Sequence, residues 1–180
     1  MLAAFAFVTV LLTLFRRTES LAKVTTRVHY HHLGNLQLTF VLFWAYISFG
    51  QLLIIYSGDV PRELDWYLRR LGGHWKYVVD ALALFHFFVP FLLLLFRGVK
   101  RHIAALTILA ALLLVMRMVD IYWLVMPALH PLSPMLHWTD LATLAGIGGL
   151  WTAVFLSRLR SAPLLPQRDP GMQFAFVYER

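Results

Sequence analysis

The stretch Ile103–Met126 constrains the fold more than any other part of the chain. At ~1.5 Å per residue it reaches ~36 Å, enough to cross the hydrocarbon core of a bilayer. It is almost entirely aliphatic, yet it contains Arg117 and Asp120, three positions apart. Charges at that spacing lie on one helix face and can pair there. Each would cost roughly 2.5–3.5 kcal/mol at the centre of a spanning helix, before pairing or snorkelling relieves it. A helix this apolar that keeps both charges needs them for function or for architecture.

Sixty per cent hydrophobic residues and a mean hydropathy of +0.69 exclude an ordinary soluble globular fold. The absence of cysteine excludes thiolate metal sites, iron–sulfur ligation and covalent c-type haem within this chain. The net charge of +7 falls mostly in short loops between apolar runs, so it sets membrane orientation and does not point to nucleic acid.

The pattern predicts an all-α integral membrane bundle of about five transmembrane helices. Residues 1–15 form a short or truncated first helix, because 15 apolar residues fall below the ~20 that span comfortably. Arg16 and Arg17 follow this run where a signal peptide would carry its charges in front, which rejects that reading. Residues 16–32 form a basic connector, either a helix lying among the headgroups or a solvated loop. Residues 33–157 form a four-helix transmembrane bundle, and 158–180 a basic, proline-punctuated tail that docks on a partner or lies along the membrane.

Within the bundle, the span Leu33–Ser57 carries Gln37, Val41, Trp44, Ser48 and Gln51 on one stripe, which should face other helices. Asp59-Val-Pro61 starts a short interfacial helix, rich in Trp66 and Tyr67, that Gly72-Gly73 stops. Trp75–Phe96 is the next span, with a kink expected at Pro90. Trp138–Ser157 is the last, and Ala142, Ala145, Gly146, Gly149 and Ala153 give it a smooth strip for close helix contact.

Eleven of the sixteen Lys and Arg residues fall on the side of the 16–32 connector, four on the other side, and Arg117 lies between. The positive-inside rule then places the N-terminus outside, the C-terminus and tail in the cytoplasm, and the short interfacial helix on the periplasmic face. On that topology Gln51, Asp80, Arg117 and Asp120 all lie roughly 7–14 Å below the outer surface, with His137 and Asp140 slightly above them. Such a layer can be an ion-pair network clamping the bundle, with Arg117 shared by Asp80 and Asp120. It can equally be a proton relay or the wall of a quinone site, and both can hold together. His86 lies near mid-depth. A lone membrane histidine is more often a packing residue than a ligand, and no facing span offers a second one at that depth for bis-His haem. His29, His31 and His32 read as surface.

His31-His-Leu-Gly-Asn35-Leu, Phe43-Trp-Ala-Tyr-Ile-Ser-Phe-Gly-Gln51, Ala83-Leu-Phe-His86-Phe-Phe-Val-Pro90, Arg117-Met-Val-Asp120-Ile-Tyr122-Trp and His137-Trp-Thr-Asp140 occur in this order. Together with Gly146-Ile-Gly-Gly-Leu-Trp151 they resemble the second quinone-binding-type membrane subunit, the F subunit, of the bacterial quinol:cytochrome c oxidoreductase called alternative complex III. That subunit belongs to the NrfD-like, polysulfide-reductase-like family. The likeness runs from about His31 to Pro170, and His32 stands where the family pattern leads one to expect an acidic residue. The family member is longer and has two helix bundles, so this chain is expected to correspond to its C-terminal half.

The resemblance implies a multi-pass subunit of the bacterial inner membrane, in a respiratory complex that oxidises menaquinol or ubiquinol. Its partners would be membrane lipid, a sister quinone-binding subunit, an iron–sulfur subunit and c-type haem subunits. The chain itself would hold no haem, no iron–sulfur cluster and no covalent cofactor, though quinone or quinol could bind it. Candidates for the proton path or quinone site are Gln51, Asp80, His86, Arg117, Asp120, Tyr122, His137 and Asp140. The rival readings are a stand-alone proton-coupled transporter or channel, and a purely structural membrane anchor.

Overall fold

A computed structural model describes residues 1–17, 25–59, 61–131, 133–135 and 137–161, and the regular structure among them is all helical. The helices are α1 (Leu2–Leu14), α2 (Arg27–Gly58), α3 (Pro61–Leu71), α4 (Trp75–Leu95), α5 (Arg97–Arg101), α6 (Ile103–Val125) and α7 (Trp138–Ser161). Four of them, α2, α4, α6 with its following turn, and α7, are long and apolar enough to cross a membrane. The 13 residues of α1 are not. Four long apolar helices and a short first one thus stand where about five spans, the first of them short, were expected.

Two boundaries differ from those expected. The second helix starts at Arg27 and not at Leu33, because Thr26 and His29 hold its first turn: the Thr26 N–H donates to His29 Nδ1 at 3.3 Å, and the Thr26 hydroxyl meets the same nitrogen at 2.8 Å. The last helix runs to Ser161 and not to Ser157, with Arg158 and Arg160 in its final turn, where cations suit the negative end of a helix. Of the connector, residues 18–24 lie outside the described residues, as does the tail from residue 162.

The chain divides into two compact units, Met1–Leu14 with Thr26–Pro134, and Phe15–Thr25 with Met135–Arg180. In the first, α1 packs on α6 and α2, and α2 packs on α4. A cluster of Ala6, Tyr30, Val41, Leu94, Leu106, Ala110 and Leu113 forms its apolar centre. Helices α2 and α6 run parallel. Tyr30 of α2 and Thr107 of α6 meet at Thr13 of α1, and further along Trp44 of α2 meets Asp120 of α6. The two meeting points are ~20 Å apart along the helices.

Around Thr13 the contacts are neutral and polar. Gln37 Nε2 donates to Thr9 Oγ1 at 2.7 Å, and Thr13 Oγ1 lies 2.8 Å from Thr107 Oγ1 and 3.2 Å from the Tyr30 hydroxyl. Thr9, Thr13 and Thr107 each also reach the carbonyl four residues earlier in their own helix. Backbone carbonyls thus satisfy hydroxyls that hydrocarbon could not.

At Pro90, where a kink was expected, the helix contains a widened turn. Pro90 has no N–H for the His86 carbonyl, and its ring would crowd that oxygen. The chain responds with a π-helical segment over Leu82–Phe88, in which the Val89 N–H donates to the Leu84 carbonyl.

The short helix α3 forms where Pro61 supplies a pre-set φ, Glu63 sits in the first turn, and Arg69 and Arg70 lie in the last. Gly73, at φ 58°, turns the chain into α4 in the left-handed region that glycine adopts readily.

Candidate functional site

A cleft of about 720 Å³ opens in the first unit among α2, α3, α4 and α6. That volume suits one small amphiphilic molecule. Its walls are mostly apolar: Leu52, Trp66, Leu82, Phe87 and Trp123 are typical. The polar exceptions include Ser48 and Gln51 of α2 and the charged pair of α6, Arg117 and Asp120.

The pair is built as the i, i+3 spacing requires. Arg117 Nη1 donates to Asp120 Oδ2 in a salt bridge. Trp44 Nε1 donates to the same oxygen at 3.3 Å, so two helices hold the carboxylate. The side chains differ in exposure: Asp120 is 5% exposed and Arg117 40%. The carboxylate is thus anchored in the wall while the guanidinium, with five N–H donors, turns part of its edge outward.

Helix α3 lies at one end of the cleft and is fixed by Arg70, which is 3% exposed. Its guanidinium donates to the Trp66 carbonyl at 3.0 Å and to the Leu124 carbonyl at 2.8 Å, and lies 3.6 Å over the Trp66 ring. Leu124 belongs to the last turn of α6, whose carbonyls lack helical partners, so Arg70 caps that helix. In return Trp123 Nε1 donates to the Arg70 carbonyl at 3.2 Å. Burial lowers the Arg70 pKa, aided by Arg69 and opposed by Tyr67, but a guanidinium stays charged in proteins. Burial also raises the Tyr67 phenol above its ordinary value, against the pull of Arg70, so this cleft residue is neutral at physiological pH.

His86 sits behind the wall. It is fully buried, its ring meets the Trp44 ring edge-on at 4.6 Å, and neither ring nitrogen has a hydrogen-bond partner among the described residues. The π-helical segment presents it there. Trp44 therefore touches both His86 and Asp120.

The candidates named from sequence separate into three sets. Arg117, Asp120 and Gln51 line the cleft, and His86 lies one side chain behind it. Asp80 is exposed and lines no part of the cleft, and Tyr122 is half-buried against Trp75, with ring centroids 5.7 Å apart. His137 and Asp140 belong to the second unit, where the Asp140 carboxylate accepts from the His137 N–H at 3.0 Å and closes the first turn of α7. The expected sharing of Arg117 between Asp80 and Asp120 is replaced by a bond to Asp120 alone among the described residues. The i, i+3 geometry satisfies that carboxylate locally, and Asp80 is exposed.

Sequence reasoning missed Trp44 as the second donor to Asp120, and Arg70 as the clamp on α3. The signals were present. Trp44 lies on the same stripe as Gln37 and Ser48, and Arg70 is the one basic residue in an amphipathic helix that falls beside Trp66 and Tyr67. No protein-family model matches the chain, and comparison with curated proteins gives no match.

Proposed function

We propose that this chain is a membrane subunit of a respiratory quinol:electron-acceptor oxidoreductase, and that the cleft holds the head of a quinone-type lipid. The motif order supports the first part of this reading. One observation supports the second: the apolar cleft has a half-open guanidinium and an anchored carboxylate on one wall. A quinone ring needs flat apolar contact, a donor for a carbonyl oxygen and, as quinol, an acceptor for a hydroxyl. Trp66, Trp123 and Phe87 supply the contact, Arg117 the donor and Asp120 the acceptor. A carboxylate that receives a quinol proton is also the first station of a proton path, with His86 the next titratable group behind Trp44. In this reading the helices span the bacterial inner membrane with the N-terminus outside, and electrons leave through partner subunits carrying iron–sulfur and c-type haem centres.

The test is Asp120→Asn in the complex purified from native membranes. A hydrogen bond to a charged group contributes ~1.5–3 kcal/mol, so quinol turnover should fall by about tenfold or more while the subunits still co-purify. Unchanged turnover sinks the cleft as the quinol site. A chain that purifies with no redox-active partner sinks the complex, and a proton-coupled transporter becomes the better reading.

A further inference from the structure

Some 20 Å from the level of Trp44 and Asp120, at the other end of the first unit, lies a second charged group. It consists of His31 and His32 from α2 with Arg97, Lys100 and Arg101 from α5. We propose that this basic end binds the phosphate of an anionic phospholipid headgroup.

Lys100 is the centre of the site. It is only 6% exposed, although lysines at helix ends ordinarily snorkel into water. Its aliphatic stem lies across α2 at Gly34, where a Cβ would come within 2.8 Å of Lys100 Cγ. A glycine at 34 is therefore what lets the stem cross. Its Nζ then reaches Asn35 Oδ1 at 2.8 Å. The acceptor is neutral, and an ammonium carries three donors. A buried cation whose one acceptor among the described residues is neutral calls for an anion nearby. Beside it, His31 Nε2 is buried without a hydrogen-bond partner among the described residues, within the field of Lys100, Arg101, His32 and Arg97.

The counter-charge does not come from the described residues of this unit. Asp59 ends α2, Glu63 and Asp65 lie on α3, Asp80 lies in the first turns of α4, and Asp120 is on the cleft wall. All five are at the cleft end. An anion with strong acceptor oxygens fits the basic end, and a phosphodiester is such a group. The neighbouring surface indicates its source. Leu36, Leu92, Leu95 and Phe96 are each at least 40% exposed beside the cluster, so a ligand with acyl chains satisfies both parts of the surface. Free phosphate would use only one. Basic pockets between helices at a membrane surface bind anionic headgroups by this combination.

This inference rests on the membrane part of the proposed function and not on the quinone cleft. The test is native mass spectrometry of the full chain, with whatever subunits purify with it, in detergent containing equal phosphatidylglycerol and phosphatidylcholine. Wild type should retain phosphatidylglycerol in about fivefold preference or more, the size expected per cation at an anionic surface. Lys100→Gln and Asn35→Asp should each lower that preference by about fivefold, the share of one cation. Asn35→Asp keeps the side-chain shape and puts a carboxylate on Lys100, so it removes the site without removing the contact. Equal retention of both lipids by wild type, or an unchanged preference in both variants, overturns the proposal. So does displacement of phosphatidylglycerol by millimolar inorganic phosphate, which would make this a free-anion site. Quinone binding measured on the same samples separates the two readings, because either ligand can be lost while the other stays bound.

Discussion

Helices α2 and α6 bring polar side chains together twice, and the two meetings differ in kind. At Thr13 the groups are neutral and closely packed, and each threonine also uses a carbonyl of its own helix. At Trp44 the groups include a full ion pair, and that pair borders a cleft of about 720 Å³. Uncharged hydrogen bonds suffice to hold apolar helices together, since each contributes ~0.6 kcal/mol on average between helices in a membrane. The ion pair lies within α6 and joins it to no other helix, and such a pair gives no stability that well-packed apolar residues could not. Its place on the wall of a cleft, and not within the packed centre, therefore favours ligand chemistry over gluing.

The largest expected effect tests whether Asp120 is committed to Arg117. Replacing Arg117 with Leu leaves a nearly buried carboxylate with only the Trp44 indole as donor. Loss of one partner from a buried pair costs ~3–5 kcal/mol, and Arg117→Leu should destabilise the protein on that scale in thermal unfolding in detergent. Replacing Arg117 and Asp120 together should recover most of the loss. A double variant as unstable as the single one would mean the pair is architectural, and the contrast between the two meeting points would collapse.

A smaller effect is expected at the neutral seam. Thr9→Val removes the acceptor of the Gln37 amide, whose Oε1 already has no partner among the described residues. Leaving a buried amide unpaired costs ~1–3 kcal/mol, and Gln37→Leu added to Thr9→Val should restore most of it. Neither change should alter ligand binding at the cleft, ~20 Å away. A loss of binding in the seam variants would show that the two regions are coupled.

The sequence makes the seam and the ion pair legible to different degrees. Arg117 and Asp120 stand out because two charges in a long aliphatic run have few neutral explanations, and their spacing alone specifies the bond between them. The stripe from Gln37 to Gln51 reads correctly because period and polarity agree: Gln37 and Val41 are buried, and Trp44, Ser48 and Gln51 line the cleft. Asp80 and Tyr122 show what depth alone cannot decide. Residues at one level of a bundle can face opposite sides of their helices, and a helix with apolar residues all round gives no phase to choose between them. The threonine seam is not legible because threonine suits lipid-facing and buried positions equally, once its hydroxyl bonds to its own helix. The start of α2 is missed for another reason. Hydropathy places a helix where the apolar residues begin, whereas Thr26 and His29 begin it by hydrogen bonding.

The smallest expected effect on stability comes from adding the same side chain in two places. Ala110 is fully buried in the apolar centre, and Ala83 lines the cleft. Ala110→Leu inserts three extra carbons where atoms already touch, and overpacking of that kind costs ~1–3 kcal/mol. Ala83→Leu inserts the same carbons into open space, so unfolding should move by less than ~0.5 kcal/mol, as for a surface change. The cleft variant should nonetheless lose quinone affinity, because its leucine occupies volume that the ring needs, whereas the core variant should keep its affinity at temperatures where it remains folded. If Ala83→Leu destabilises as much as Ala110→Leu, that part of the wall is packed and not open. If it leaves both stability and quinone affinity unchanged, the open volume is incidental, and Arg117 and Asp120 serve something other than a ligand bound there.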